Sequence, residues 1–212
     1  MNIVNRRLFL AAGAGIASLA AAAPLALAQS AGPVDQKALM EPPAMGEMAL
    51  GVETAPVTVI EYASASCPHC AAFANDVLPA LTKDYIDTGK MRLIFREFPH
   101  NDAAMGAFMV ARCAPKERYF PLMEIYFKTQ DNWVAKPLEG LRAIALQAGF
   151  TEQTFMACLN NQEVAKNIFA VRQKAEGFGV QGIPTFFING ERYEGENTLE
   201  AFKSKIDSLL PA

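Results

Sequence analysis

Val57-Thr58-Val59-Ile60-Glu61-Tyr62, followed five residues on by Cys67-Pro68-His69-Cys70, is the stretch from which the fold of this chain is read. The first part is β-branched and aromatic with little charge, the pattern of a buried strand. The second is a C-x-x-C pair. From Pro68 to Thr88 apolar residues then recur at helical spacing, at Ala71, Ala74, Val77, Leu78, Leu81 and Tyr85. A strand feeding a helix in this way puts the first sulfur where the helix begins. There it faces backbone N–H groups without helical partners and the positive end of the helix dipole, and both favour a thiolate. Pro68 suits the first helical position, since it has no N–H to satisfy and its φ is already helical. Two thiols at this spacing can close a small disulfide ring, so the stretch points to thiol–disulfide chemistry. An inert structural bridge is the weaker alternative, because a ring with two intervening residues constrains little chain.

Outward from this stretch, Pro79 is expected to kink the helix and Gly89 to close it. Met91 to Phe98 reads as a second strand ended by Pro99, and a right-handed crossover makes it parallel to the first. Residues 101–178 read as helices only: Asp102 to Cys113, Pro115 towards Lys128, Leu138 to Ala148 behind Pro137, a helix ending at Leu159, and Gln162 to Glu176. Gly149, Gly177 and Gly179 are the stops. Thr151 with Thr154 is a weak cap, lacking the acidic partner. Strand character returns at Ile183 to Ile188, Asn189-Gly190 is a hairpin turn, and Arg192 to Gly195 would be the returning strand. Asn197 or Thr198 can cap a last helix running to Leu210. The sequence thus predicts an α/β, thioredoxin-like fold with an inserted all-helical domain. Residues 49–100 and 179–212 form the thioredoxin-like domain and 101–178 the helical insertion. Residues 29–48, rich in Ala, Pro, Gly and Met, read as a loose N-terminal arm.

The first 28 residues read as a leader. Asn5-Arg6-Arg7-Leu8-Phe9-Leu10 gives a charged start, an Ala/Gly-rich apolar run reaches Ala23, and Ala26-Leu27-Ala28 offers a cleavage site before Gln29. The paired arginines resemble a twin-arginine signal, with an ordinary secretion signal as the alternative. Without the leader, 184 of the 212 residues remain and the formal charge moves from −3 to −5. An acidic chain of this kind argues against nucleic acid or anionic membrane as a partner. Export to the periplasm also sets a compartment in which disulfides persist. All four cysteines, Cys67, Cys70, Cys113 and Cys158, follow the leader, and an even count in an exported chain fits two disulfides. A zinc site would more often show two close pairs.

The chain resembles the DsbA-like family of exported thiol:disulfide oxidoreductases over residues 48–210. The resemblance rests on Glu61, on Cys67-Pro68-His69-Cys70, on the helical insertion and on Gly182-Ile183-Pro184-Thr185. Pro-His between the cysteines is the dipeptide of strongly oxidising DsbA proteins. The low thiolate pKa and oxidising potential of those proteins are taken from the resemblance. It also implies that Pro184 is a cis-proline opposite the redox pair, with Ile183 offering backbone groups to which a substrate segment pairs as an added strand. A second disulfide in the helical domain occurs in a subset of the family, which makes Cys113–Cys158 a structural bridge. It would close a loop of 45 residues and contribute about 4 kcal/mol in the chain-entropy model. Two buried free cysteines are the alternative.

Each site residue then has an expected role. Cys67 is the nucleophile, and His69 donates a hydrogen bond or charge to its thiolate. Cys70, one turn further in, is the resolving thiol, and burial opposes its ionisation. Glu61, an acid within an apolar strand, is expected to be buried near Cys70 and to carry its proton. His100, after Phe98-Pro99, reads as a loop residue, and Trp133 and the methionines from Met105 to Met123 as core. The function so read is a dithiol oxidase acting on reduced secreted proteins, monomeric, with no cofactor and no metal, and reoxidised by a DsbB-like quinone-linked membrane partner. The rivals are a disulfide isomerase or reductase on the same fold, a periplasmic copper-binding module using the C-x-x-C thiolates, and a peptide-binding chaperone.

Overall fold

The computed structural model describes residues 34–211; the expected leader 1–28 and the start of the arm lie outside the described residues. Strands β1 (Met48–Leu50), β2 (Val57–Ala63), β3 (Met91–Glu97), β4 (Thr185–Ile188) and β5 (Glu191–Arg192) form one sheet in the order β1-β3-β2-β4-β5. β2 and β3 run parallel, from Val57↔Met91 to Ala63↔Glu97, whereas β1 on β3, β4 on β2 and β5 on β4 are antiparallel. The β4–β5 turn is built on Asn189 and Gly190, whose φ values of 49° and 85° give the twist a two-residue hairpin needs.

Helix α2 joins β2 to β3. It opens as Pro68–Ala72 and continues as π-helical Phe73–Val77, α-helical Leu78–Leu81 and π-helical Thr82–Ile86. Pro79 was expected to kink this helix through its missing N–H. Instead a π turn precedes it, carried by Leu78 N–H on the Phe73 carbonyl, and the chain stays helical across the proline. Gly89, with φ of 73°, ends the segment.

The residues between β3 and β4 are helical: α3 (Asp102–Cys113), a 3₁₀ turn (Lys116–Arg118), α4 (Tyr119–Lys128), α5 (Gln130–Trp133), α6 (Pro137–Gln147), α7 (Glu152–Leu159) and α8 (Gln162–Gly177). The Thr151 cap is stronger than the sequence suggested. Its side chain accepts from Thr154 N–H while the Thr154 hydroxyl oxygen accepts from Thr151 N–H, so a second threonine does the work of the usual acid. A disulfide joins Cys113, at the end of α3, to Cys158 in α7, with the two Cα atoms 6.0 Å apart. The last helix, α9 (Leu199–Asp207), starts at Thr198, whose side chain accepts from Ala201 N–H.

Alternation along β2 distributes the core. Val57 and Val59 face α2 and α9, where Phe73, Phe186 and Phe202 stack with centroids 4.6–5.1 Å apart. Each buried ring of this kind contributes roughly 2 kcal/mol. Ile60 and Tyr62 face the other way, onto Val171 and Ala175 of α8 and onto Leu39. Ala63, Cys70 and Phe95 belong to a third cluster, with Phe108, Tyr119, Trp133 and Phe155 of the helical block. The redox pair therefore sits where the sheet meets the helices.

The segment before β1 is not loose. A short helix, α1 (Gln36–Met40), buries Leu39 completely, and β1 adds an edge strand to β3. Arg96 pairs with Glu47 at 2.8 Å and donates to the Glu41 carbonyl, and Arg112 donates to the Gly46 carbonyl. Arg112 also pairs with the fully buried Glu97, which accepts from the Tyr119 hydroxyl. One buried leucine on a five-residue helix and a three-residue strand leave no periodicity to read, which is why composition alone suggested a free arm.

Candidate active site

Cys67 ends the loop after β2 and caps α2, with φ −87° and ψ 123°. An N-cap side chain is aimed at the N–H groups of the second and third helical residues, here His69 and Cys70. In the thiol form no strict cap hydrogen bond closes on Sγ, yet both amides favour its anion. The largest stabilising cause is the Cys70 thiol, which donates to the Cys67 sulfur; partial burial opposes it, and the two amides and, least, the His100 ring add to it. Together they bring the Cys67 thiol down to about 5. Cys70 has the opposite environment. It is completely buried, and burial, the Cys67 sulfur and the nearby Glu61 charge push its thiol far up, against one opposing contact from Ser64 N–H at 3.5 Å. Two sulfurs three residues apart thus differ strongly in acidity.

Glu61 lies in β2 between Phe95 of β3 and Phe186 of β4, and is 2 % exposed. Burial alone raises its carboxyl to about 8, and its Oε1 has no hydrogen-bond partner. Across from Cys67 the Ile183–Pro184 peptide bond is cis, and the Ile183 carbonyl oxygen is 3.7 Å from the Cys67 sulfur. An open groove of about 540 Å³ runs from Cys67 past His100, Arg172, Val180 and Ile183.

The two histidines sit differently from expectation. His69 occupies the second position of α2, so its backbone N–H turns toward Cys67 while its ring points out. The ring is exposed and makes no side-chain hydrogen bond among those of the described residues. His100, read from sequence as a bystander, lines the groove with Cys67. Asn101 caps α3: its Oδ1 accepts from Ala104 N–H and from the Ser66 hydroxyl, which leaves its amide nitrogen to donate to His100 Nε2 at 3.1 Å. The neutral ring therefore carries its hydrogen on Nδ1 and donates to Ser64 Oγ at 2.8 Å. Gln130 of α5 was also missed; its amide donates to the carbonyls of Ala65 and Cys67, at 2.7 and 3.0 Å. One signal was available: parallel neighbours β2 and β3 end side by side, so Ser64-Ala65-Ser66 had to meet His100-Asn101. Among the described residues no group of three or more His, Cys, Asp or Glu side chains converges as metal ligands.

The family described as Thioredoxin matches residues 44–208. A Rickettsia bellii relative named "Putative protein-disulfide oxidoreductase" is 32 % identical over an alignment of 177 positions that covers 76 % of this chain and 68 % of the relative. The chain covers 60 % of a similar Rickettsia conorii protein. Among solved structures, alpha-DsbA1 of Wolbachia pipientis superposes with a TM-score of 0.76 at 31 % identity, over 83 % of this chain and 96 % of that one. A protein-disulfide isomerase from Novosphingobium aromaticivorans, 24 % identical with a TM-score of 0.69 over 76 % of this chain and 96 % of that one, shares the fold. With a stabilised thiol at the helix start, a buried one behind it and a cis-proline loop opposite, the chain belongs to the thioredoxin family, as a DsbA-like thiol:disulfide oxidoreductase.

Proposed function

We propose that this chain is an exported dithiol oxidase that introduces disulfides into reduced secreted proteins in the periplasm, after removal of residues 1–28. The observation that carries this reading is the placement of the two sulfurs, Cys67 at the start of α2 on the groove and Cys70 completely buried, which makes their acidities unequal. In the oxidised protein a substrate thiolate attacks the pair at Cys67, the sulfur that lines the groove. The Cys67–Cys70 bond breaks, a substrate–Cys67 disulfide forms, and the electron pair leaves on Cys70. Burial disfavours a thiolate there, so Cys70 takes a proton, which Glu61 can supply from a carboxyl that is neutral up to about pH 8. The substrate's second thiolate then attacks its own first sulfur and expels Cys67 as a thiolate, a good leaving group because it is stabilised. Ile183 and Pro184 hold the substrate segment as an added strand beside Cys67. The two electrons now on the pair pass to a membrane quinone-linked partner of DsbB type. We assign the protein as a monomer with no resident cofactor or metal, and the Cys113–Cys158 bond as structural.

Stoichiometric oxidation of a reduced, unfolded protein tests the reading. Cys67→Ala is expected to abolish it, and Cys70→Ala to accumulate substrate–Cys67 mixed disulfides visible by mass. Full oxidase activity in both variants would refute the mechanism. Slow oxidation with efficient reshuffling of a scrambled substrate would select the isomerase.

A further inference from the structure

Glu61 does more than lie beneath Cys70. It also lines the floor of a cavity of about 420 Å³ that shares no lining residue with the groove at Cys67. Phe95 completes the floor, Ala74 and Leu78 of α2 form one wall, and Phe120 and Phe127 of α4 form the other. The two walls are tied by Asn75, whose amide donates to the Phe127 carbonyl at 3.2 Å, so the cavity is held open by structure on both sides. At the rim Glu124 and Lys128 pair with each other.

We propose that this cavity is a binding site for a small neutral molecule with an apolar body of about one aromatic ring and one hydrogen-bond acceptor, a carbonyl or amide oxygen, seated against the Glu61 carboxyl. Two independent features carry it. Apolar side chains dominate the walls, and the Glu61 carboxyl, 2 % exposed and with its Oε1 unpartnered, is part of the lining. Water fills such a space poorly. The volume would take on the order of a dozen molecules, each needing two to four polar partners, and most of the lining residues are apolar and offer none. Loosely held water is displaced with a gain in affinity by an apolar group, and an acceptor on that group takes a hydrogen bond from the carboxyl that lines the cavity. The acid is neutral up to about pH 8, so it donates; a cationic ligand would bring a second charge out of water. Occupancy would hold the proton on Glu61 and so slow the release of Cys70. That consequence rests on the oxidase reading above, whereas binding does not.

The probe is N-benzylacetamide, titrated into the reduced full chain and followed by NMR from pH 6 to pH 9. Affinity is expected to be about tenfold weaker at pH 9 than at pH 6, because one unit above a pKa of about 8 only one carboxyl in roughly ten keeps its proton. Glu61→Gln should still bind, since an amide also donates, but with no dependence on pH. Leu78→Trp and, as a milder filling, Ala74→Leu should each lose binding. Absence of binding up to the solubility limit, affinity independent of pH in the unmodified chain, or undiminished binding in both filled variants would overturn the site. Binding with the pH signature but with unchanged oxidase turnover upholds the site and refutes Glu61 as the proton donor to Cys70.

Discussion

Changing pH should bend the redox equilibrium of the Cys67–Cys70 pair near pH 5. Below that value the reduced pair holds two protons, so its potential falls by about 59 mV per pH unit; above it Cys67 is a thiolate, one proton remains on Cys70, and the slope halves to about 30 mV. The sign follows from a lowered thiol pKa: the reduced form gains stability as pH rises through 5, and the gain is lost as pH falls back through it. At pH 7 the stabilisation spans two pH units, roughly 2.7 kcal/mol or about 60 mV more oxidising than a pair with an ordinary thiol. The full interval, from about 5 to the ordinary 9, is realised only near pH 9. Equilibration with glutathione buffers from pH 4 to 8, acid quenching, alkylation and mass analysis would give the curve. An unbroken slope of about 59 mV through pH 8 would mean that Cys67 is an ordinary thiol and that the helix start does not act as argued. Cys70→Ala separates the causes. Removing the largest stabiliser should move the thiolate absorbance midpoint upward from about 5, and an unmoved midpoint would assign the effect to the backbone amides alone.

Glu61 has a raised pKa, so the folded chain binds more protons than the unfolded one between about 4.5 and 8, and stability falls as pH rises across that window. Glu61→Gln removes this dependence; its stability relative to the unmodified chain, by urea unfolding, should grow by on the order of 4 kcal/mol from pH 4 to pH 8, and parallel pH curves would contradict the burial argument. Replacing Cys113 and Cys158 together by alanine should cost about 4 kcal/mol of stability while the Cys67 thiolate midpoint stays near 5. A shifted midpoint would mean that the helical bridge tunes the redox pair.

The parts of the fold legible in the sequence are those whose signal is local. Asn189-Gly190 marks its hairpin because few other residues adopt its dihedrals, Pro137 opens α6 at the first position, and Cys67-Pro68 announces a helix start. Glu61 stood out because an acid interrupts an apolar strand. What escaped depends on contacts distant in sequence. β1 has three residues and is recognised only by pairing with β3, 47 positions away at Met48↔Phe95. His100 and Gln130 reach the catalytic loop from other elements, so neither carries a motif. His69 was assigned to Cys67 by adjacency, but its ring lies on the exposed face of α2.

The double hydrogen bond from Gln130 bears on how portable the catalytic turn is. Two carbonyls of that turn, on Ala65 and Cys67, are satisfied by an amide belonging to the helical block. A graft that moves Cys67-Pro68-His69-Cys70 onto a minimal scaffold without α5 would transfer the letters and leave those carbonyls to water. The tetrapeptide is therefore not a self-contained cassette: its rigidity is on loan from a region more than sixty residues downstream, and the two must travel, and vary, together.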